Sequence, residues 1–362
     1  MYEYQGLQDI CFIMIYGSAM VFALISCIYL LFRRSNAFTF DTDSPRQLRL
    51  WTAAFMASIV GSHIWWALLG TIFLTDNRLI RNIVAITLDR LTFMPLILCV
   101  LLRMLQDRRR SLWPVVAAFV PLALFSFYCL LAHNQNFEFY TECYSVLVVL
   151  VFLIYYVYAL HQYGRWLRDN FADLEHKEVW RSLLLFAFLI FTFIAYASNE
   201  GDILSEYLAQ INTIIIVSFL TWRVETLQEL QEEVPAKQVV EPDMESKLPT
   251  DVLSNLLKKR CEDSHIYLQQ NLTLQQLADM LGTNRTYLGQ YFAQQGITYN
   301  AYINGLRIEH FMRLYQHAAD SHCNVSAQKL CFESGFRSYS TFAVAFKQYR
   351  GMTVSEWVRQ VS

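Results

Sequence analysis

The stretch LTLQQLADMLGTNRTYLGQYF, from Leu272 to Phe292, decides the fold of the C-terminal part of this chain. Thr273 followed by Gln276 is a capping box: the threonine hydroxyl accepts the N–H of Gln276, and the glutamine side chain returns to the N–H of Thr273. Leu274, Leu277, Ala278 and Leu281 then recur at i, i+3, i+4 and i+7, one face of a helix. Gly282 ends that helix, Asn284 caps the next, and Leu288 and Phe292 give the second helix its buried side. Two short helices joined by a tight glycine turn make a helix-turn-helix unit.

The same grammar returns further along the chain. Ala327, Leu330, Cys331 and Ser334 share a face, Gly335 is the stop, Ser338 the cap, and Phe342, Ala345, Phe346 and Tyr349 line the following helix. Between the two units Tyr299 to Ala319 is predicted to be a single helix, with Tyr302, Ile303, Leu306 and Leu314 available for burial. Held rigidly apart by it, two recognition helices on one face are expected to enter major-groove segments about 34 Å apart, one turn of DNA.

Residues 272–362 resemble the AraC/XylS family of transcription regulators. The first unit carries the resemblance through Leu272–Phe292 and YINGLRIE at Tyr302–Glu309, and the second through GFRSYSTFAVAFKQYRG at Gly335–Gly351. It covers about a quarter of the chain and implies a seven-helix domain over 251–362, double-stranded promoter DNA as ligand, RNA polymerase as partner, and activation as the commoner outcome. The departures at Cys331, Val354 and Phe311 are packing substitutions that leave the fold intact.

By motif position the exposed face of the first recognition helix is Arg285, Thr286, Gly289 and Gln290; that of the second is Tyr339, Ser340, Ala343 and Val344. Arg285 and Gln290 suit guanine and adenine edges. The second face is poor in hydrogen bonders and is expected to add thymine-methyl contacts, with phosphate contacts from Ser338, Thr341 and Lys347, so the first unit supplies most of the specificity. Arg307 reads as a structural ion-pair partner of Glu309 or Asp279 rather than a base reader.

Composition places the rest of the chain elsewhere. With 55% hydrophobic residues and a mean hydropathy of +0.26, the 362-residue chain is too apolar to be soluble throughout. Lys plus Arg against Asp plus Glu is 15 to 16 in residues 1–222, 3 to 7 in 223–250 and 11 to 8 in 251–362, so only the last segment is basic, as phosphate binding requires. Seven apolar stretches are long enough to cross about 30 Å of hydrocarbon: Ile10–Phe32, Leu50–Leu74, Ile80–Leu102, Leu112–Leu131, Tyr144–Tyr163, Trp180–Ala197 and Ile203–Trp222. The expected fold class is therefore all-α, a seven-helix transmembrane bundle followed by a seven-helix DNA-binding domain.

Sidedness follows from Lys and Arg in alternate loops. One set holds Arg33, Arg34, Arg46, Arg49, Arg103, Arg108, Arg109, Arg110, Arg165, Arg168, Lys177 and Arg181, and the other only Arg78 and Arg81. The N-terminus is expected outside and the C-terminus in the cytoplasm, in a bacterial inner membrane, where the tail can meet DNA. Met1 to Asp9 carries no Lys or Arg, so the first apolar run is expected to stay attached.

Four ionisable residues fall within the apolar stretches, His63, Asp89, Arg90 and Glu206, all in the predicted outer half. Two readings stand: a pocket sensing a signal ligand or protons, with Trp65, Trp66 and Asn212 in its lining, or interhelical pairs that fix packing. After Trp222 the stripe Val224, Leu227, Gln231, Val234 extends the last apolar helix to Pro235, short for a dimer seam but able to assist a homodimer. Residues 235–250, acidic and with three prolines, read as a tether. Eight scattered cysteines without a CxxC pair, and His317, His322 and Cys323 without a fourth ligand, point to no disulfide framework, metal site or cofactor. No nucleophile with a base, paired carboxylates or phosphate loop suggests an enzyme. The leading expectation is a membrane-bound one-component regulator; the alternative is a carrier reporting its occupancy to DNA, which lacks inverted repeats or glycine-broken helices in its favour.

Overall fold

The computed structural model describes residues 7–33, 44–71, 78–132, 138–175, 177–180, 182–184, 188, 203–230, 249–321 and 326–361. Every named element among them is helical, and the single pairing of extended backbone is an isolated antiparallel bridge between Phe171 and Thr273. The chain divides into two compact units, one from segments 1–161 and 179–232, the other from 162–178 and 233–362.

The first unit contains α1 (Leu7–Phe32), α2 (Arg46–Thr71), α3 (Arg78–Met104), α4 (Trp113–Ala132), most of α5 (Glu138–Asn170) and α6 (Ile203–Thr226). Five of these are long and apolar enough to cross a membrane: Ile10–Phe32, Arg46–Leu69, Ile83–Met104, Phe139–Asn170 and Glu206–Thr226; α4 has a shorter apolar stretch, Trp113–Cys129. The predicted sixth span, 180–197, lies largely outside the described residues. Met14, Leu124 and Ile154 are strongly exposed while Ala19, Ala23, Ala53 and Ala85 are buried, the pattern of helices that bring small residues together and turn bulky apolar ones outward.

One end of this unit is fixed by a buried ion pair, Arg49 Nη1 to Glu225 Oε1 at 2.8 Å, joining the start of α2 to the end of α6. Arg49 also donates to the carbonyls of Leu30, in the last turn of α1, and Arg33, just past its end. The expected helical extension to Pro235 is corrected here, because α6 stops at Thr226. The Gln106 side chain offers the departing chain other partners, donating to the Gln228 carbonyl at 3.0 Å and accepting the Leu230 N–H at 2.8 Å. Val224 and Leu227 are fully buried within this unit, so they are not open as a dimer seam; Gln231, Val234 and the tether lie outside the described residues.

The second unit holds seven α-helices among its described residues: α7 (Thr250–Leu257, running on through a π-turn at Lys258–Glu262), α8 (Leu274–Leu281), α9 (Arg285–Gln294), α10 (Tyr299–Asp320), α11 (Ala327–Glu333), α12 (Tyr339–Arg350) and α13 (Val354–Val361). Both halves of the Thr273–Gln276 capping box form, and Gly282 closes α8 at φ 72°. The apolar residues read from periodicity form two clusters. Leu274, Leu277, Ala278, Leu281, Leu288, Phe292 and Ile303 lie in one; Phe311, Leu330, Cys331, Phe342, Ala345, Phe346 and Val354 in the other, so the three departures from the family pattern are core residues. The linker helix α10 contributes to both. Tyr349, expected on the buried face of α12, is instead exposed; its hydroxyl donates to Glu309 Oε1 at 2.7 Å and its ring lies over Gly305.

Gly335 is required twice over. Its φ is +85°, and a Cβ there would meet the Leu268 carbonyl oxygen at 2.6 Å. Gly296 has a similar φ of +70° with open space around it. Gly335→Ala is therefore expected to destabilise the second unit by more than about 3 kcal/mol, and Gly296→Ala by only about 1 kcal/mol. Pulse proteolysis of the C-terminal unit in urea checks the ranking, and equal losses would show that the Leu268 contact yields without cost.

Candidate nucleic-acid interface

Each recognition helix starts from a side-chain cap, which satisfies one of its first-turn N–H groups and fixes where the helix begins. Asn284 accepts the N–H of Tyr287 at 2.7 Å and starts α9. Ser338 accepts the N–H of Thr341 at 3.3 Å and starts α12, with its hydroxyl also 3.0 Å from those of Ser340 and Thr341. Leu288 and Phe292 turn one side of α9 into the first core; Phe342, Ala345 and Phe346 do the same for α12 in the second.

The sequence-predicted contact residues lie on the remaining faces. Thr286 and Gln290 are exposed, while Arg285 and Gly289 are half-buried; Tyr339, Ser340, Val344 and Lys347 are exposed, while Ser338, Thr341 and Ala343 are half-buried. Two of them are already engaged. Arg285 Nε donates to Asn170 Oδ1 at 2.7 Å, and Thr341 Oγ1 donates to Glu175 Oε2 at 3.3 Å. Burial of the Arg285 guanidinium pulls its pKa below the ordinary arginine value.

Asn170 and Glu175 belong to the segment 162–178, which the sequence offers as a membrane-domain loop and which packs in the second unit. Ala172 is buried in the first apolar cluster. Asn300 Nδ2 donates to the carbonyls of Phe171 and Ala172 at 3.1 and 2.7 Å, and Asn304 Nδ2 to that of Ala172 at 3.3 Å. Lys177, also buried, lies 5.6 Å from the Phe171 ring centre, and burial lowers its pKa. Sequence reasoning missed these partners. The one local hint is that Asn300 and Asn304 stand one turn apart on α10 among residues that are otherwise inward-facing.

Arg307 is structural, but not through the predicted ion pairs. It is 1% exposed, donates to the Tyr267 and Gln269 carbonyls at 2.7 and 2.5 Å, and lies 5.7 Å from the Phe336 ring centre. Burial pushes its pKa down to about 10, which leaves it charged at neutral pH. Glu309 takes the Tyr349 hydroxyl and Asp279 the Gln275 amide. The correction is geometric: Arg307 points inward from α10, whereas Glu309, two residues on, lies on the opposite side of the helix.

The candidate intramembrane residues divide into two groups. The His63 ring meets Gln210 Oε1 at 2.9 Å and lies tilted against the Tyr16 ring, centroids 4.5 Å apart. Trp66 Nε1 donates to Asp89 Oδ2 at 2.7 Å, and Glu206 lies one turn before Gln210 on α6. Arg90 turns away toward α5, donating to Thr141 Oγ1 at 3.1 Å and Glu142 Oε1 at 3.4 Å. Tyr16, Gln210 and Glu142 were not singled out from sequence; a polar residue near a helix end carries no mark of which neighbour it will meet.

A family model described as a helix-turn-helix domain matches residues 277–360, under a quarter of the chain, and supports a DNA-binding C-terminal domain of AraC type. No curated protein and no solved structure matches. For Arg307, substitution to Met is expected to destabilise the second unit by about 2–4 kcal/mol through the lost charge-assisted bonds, with Lys restoring only part because an ammonium cannot bridge both carbonyls and stack on the ring. Urea unfolding followed by proteolysis measures this; unchanged stability with lost DNA binding would make Arg307 a base reader after all.

Proposed function

We propose that this chain is a membrane-bound one-component transcription regulator, in which helices α1–α6 and the apolar segment 180–197 form a sensor domain, 223–250 connects, and 251–362 binds promoter DNA. The observation that carries the reading is the coexistence, in one polypeptide, of five helices apolar enough to span a membrane and a helix-turn-helix domain built on two capped recognition helices.

Within the DNA-binding domain, Arg285, Thr286, Gly289 and Gln290 meet base edges from α9, and Tyr339, Ser340, Ala343 and Val344 from α12, with Ser338, Thr341 and Lys347 at phosphates. The N-terminal turns of recognition helices are where such contacts concentrate. The protein lies in a bacterial inner membrane with its N-terminus outside and its C-terminus in the cytoplasm. It acts as a homodimer that recruits RNA polymerase, since tethering two weak modules raises the effective concentration for the second binding event. His63, Asp89 and Glu206, with Gln210, Tyr16 and Trp66 around them, form the part of the membrane domain that senses the stimulus, and the Arg90–Glu142 contact stabilises packing.

Selection of genomic fragments by the full chain in nanodiscs tests the DNA arm. Bound fragments are expected to share a motif and to dissociate as salt rises. Gln290→Ala should relax preference at one base pair by about 5- to 100-fold, and Lys347→Ala should weaken all sequences alike. Fragments that carry no common motif would overturn the assignment. For the membrane arm, transcript profiling of His63→Ala and Asp89→Asn strains is expected to show loss of the regulated response with DNA binding intact; a normal response would assign both residues to packing.

A further inference from the structure

The segment 170–177 crosses the N-terminal ends of both recognition helices. Its first residue accepts from Arg285 at the start of α9, Phe171 pairs by its backbone with Thr273 at the start of α8, and Glu175 accepts from Thr341 in the first turn of α12. It is anchored between these points by Ala172 in the first core and by Asn300 on the linker helix. Tyr163, at the end of α5, closes the loop by donating to the Lys177 carbonyl at 3.0 Å.

We propose that this segment is an autoinhibitory plug that occupies the DNA-reading surface and must leave before DNA binds. The inference rests on the reading of α9 and α12 as DNA-facing. Arg285 cannot offer its Nε–H to a guanine or a phosphate while Asn170 holds it. The Glu175 carboxylate takes the Thr341 hydroxyl at a helix start, where a phosphate would otherwise sit, and two anions do not share such a place. Asn170 is also the last residue of α5, so the plug is covalently continuous with a helix long and apolar enough to span a membrane. Displacement of that helix end withdraws the plug from both recognition helices at once, which gives the regulator an input that acts on DNA affinity without any change inside the DNA-binding domain. The apparent affinity of the resting protein is then its intrinsic affinity multiplied by the fraction of time the plug is out.

The test uses the full chain in nanodiscs and a fluorescein-labelled mixed-sequence DNA duplex at low salt. Loss of two hydrogen bonds to the plug in the double variant Asn170→Ala, Glu175→Ala is expected to tighten duplex binding about tenfold. In the unaltered protein, hydrogen exchange at the amides of residues 171–177 is expected to speed up when the duplex is added. Equal or weaker binding by the variant, or exchange that stays constant or slows on adding DNA, overturns the proposal. Failure of both proteins to bind the duplex would instead remove the DNA-facing reading of α9 and α12, and the plug with it.

Discussion

The second unit depends on a guanidinium with almost no access to water. Arg307 sits on the linker helix where the two apolar clusters meet, holding two carbonyls of the segment before α8 and lying against Phe336 of the second cluster. A buried cation costs several kcal/mol in desolvation and persists only where its donors are satisfied. Here carbonyls do that work, with the negative charge of Asp173 nearby. The planar fork bridges two backbone acceptors while its face stacks on an aromatic ring, which an ammonium cannot do. The result is a rigid joint: helix-turn-helix units that would otherwise pivot on a long α10 are tied across its middle. If both units read adjacent turns of DNA, as proposed, they need a fixed spacing, and a joint at this point would supply it.

Local pattern made much of this unit legible. The capping box, Gly282, the Asn284 and Ser338 caps and the periodicity of α8, α9 and α12 are short-range features, in which each residue's partner lies within four positions. Gly335 was legible as a stop, though not the close approach of Leu268 that makes it indispensable. The apolar helices followed from length and composition, with α5 running longer than its apolar core because Gln162–Asn170 continues in good helical phase. Partners distant in sequence stayed hidden. Arg307 was read as structural yet given the wrong acceptors, because a backbone carbonyl leaves no trace in sequence. The chain leaving α6 at Thr226 is met by Gln106, more than a hundred residues away.

In the first unit the polar groups are distributed by function of position. Arg49 and Glu225 form a pair that is nearly dry, at one end of the helices it joins, and it is supplemented by carbonyls from the end of α1. Removing either partner would strand a charge, so this pair fixes how three helices end together. His63 and Asp89 are different. Their contacts include a side-chain amide, a backbone carbonyl, an indole N–H and an aromatic ring, neutral groups that can rearrange at small cost. The sensing role proposed for them needs such partners, since a strong ion pair would hold one state too firmly for a weak stimulus to shift.

The same consideration of magnitude applies where α5 meets the DNA-binding helices. The contact made by residues 170–177 consists of a few hydrogen bonds, one short bridge of backbone and the burial of Ala172, the segment's one residue in the first core. Only the two hydrogen bonds to the recognition helices, Asn170 to Arg285 and Glu175 to Thr341, need break to clear the surface, and at a net contribution of about 1 kcal/mol each they fall within the roughly 1–3 kcal/mol range of couplings between sites. A larger interface would lock the segment in place, and a smaller one would leave it off for most of the time. A contact of this size biases an equilibrium by one or two powers of ten and can be reversed by an input of similar size delivered through a helix. Coupling by the proposed plug therefore needs no transmission through the cores of the DNA-binding domain, whose packing around Arg307 would resist it.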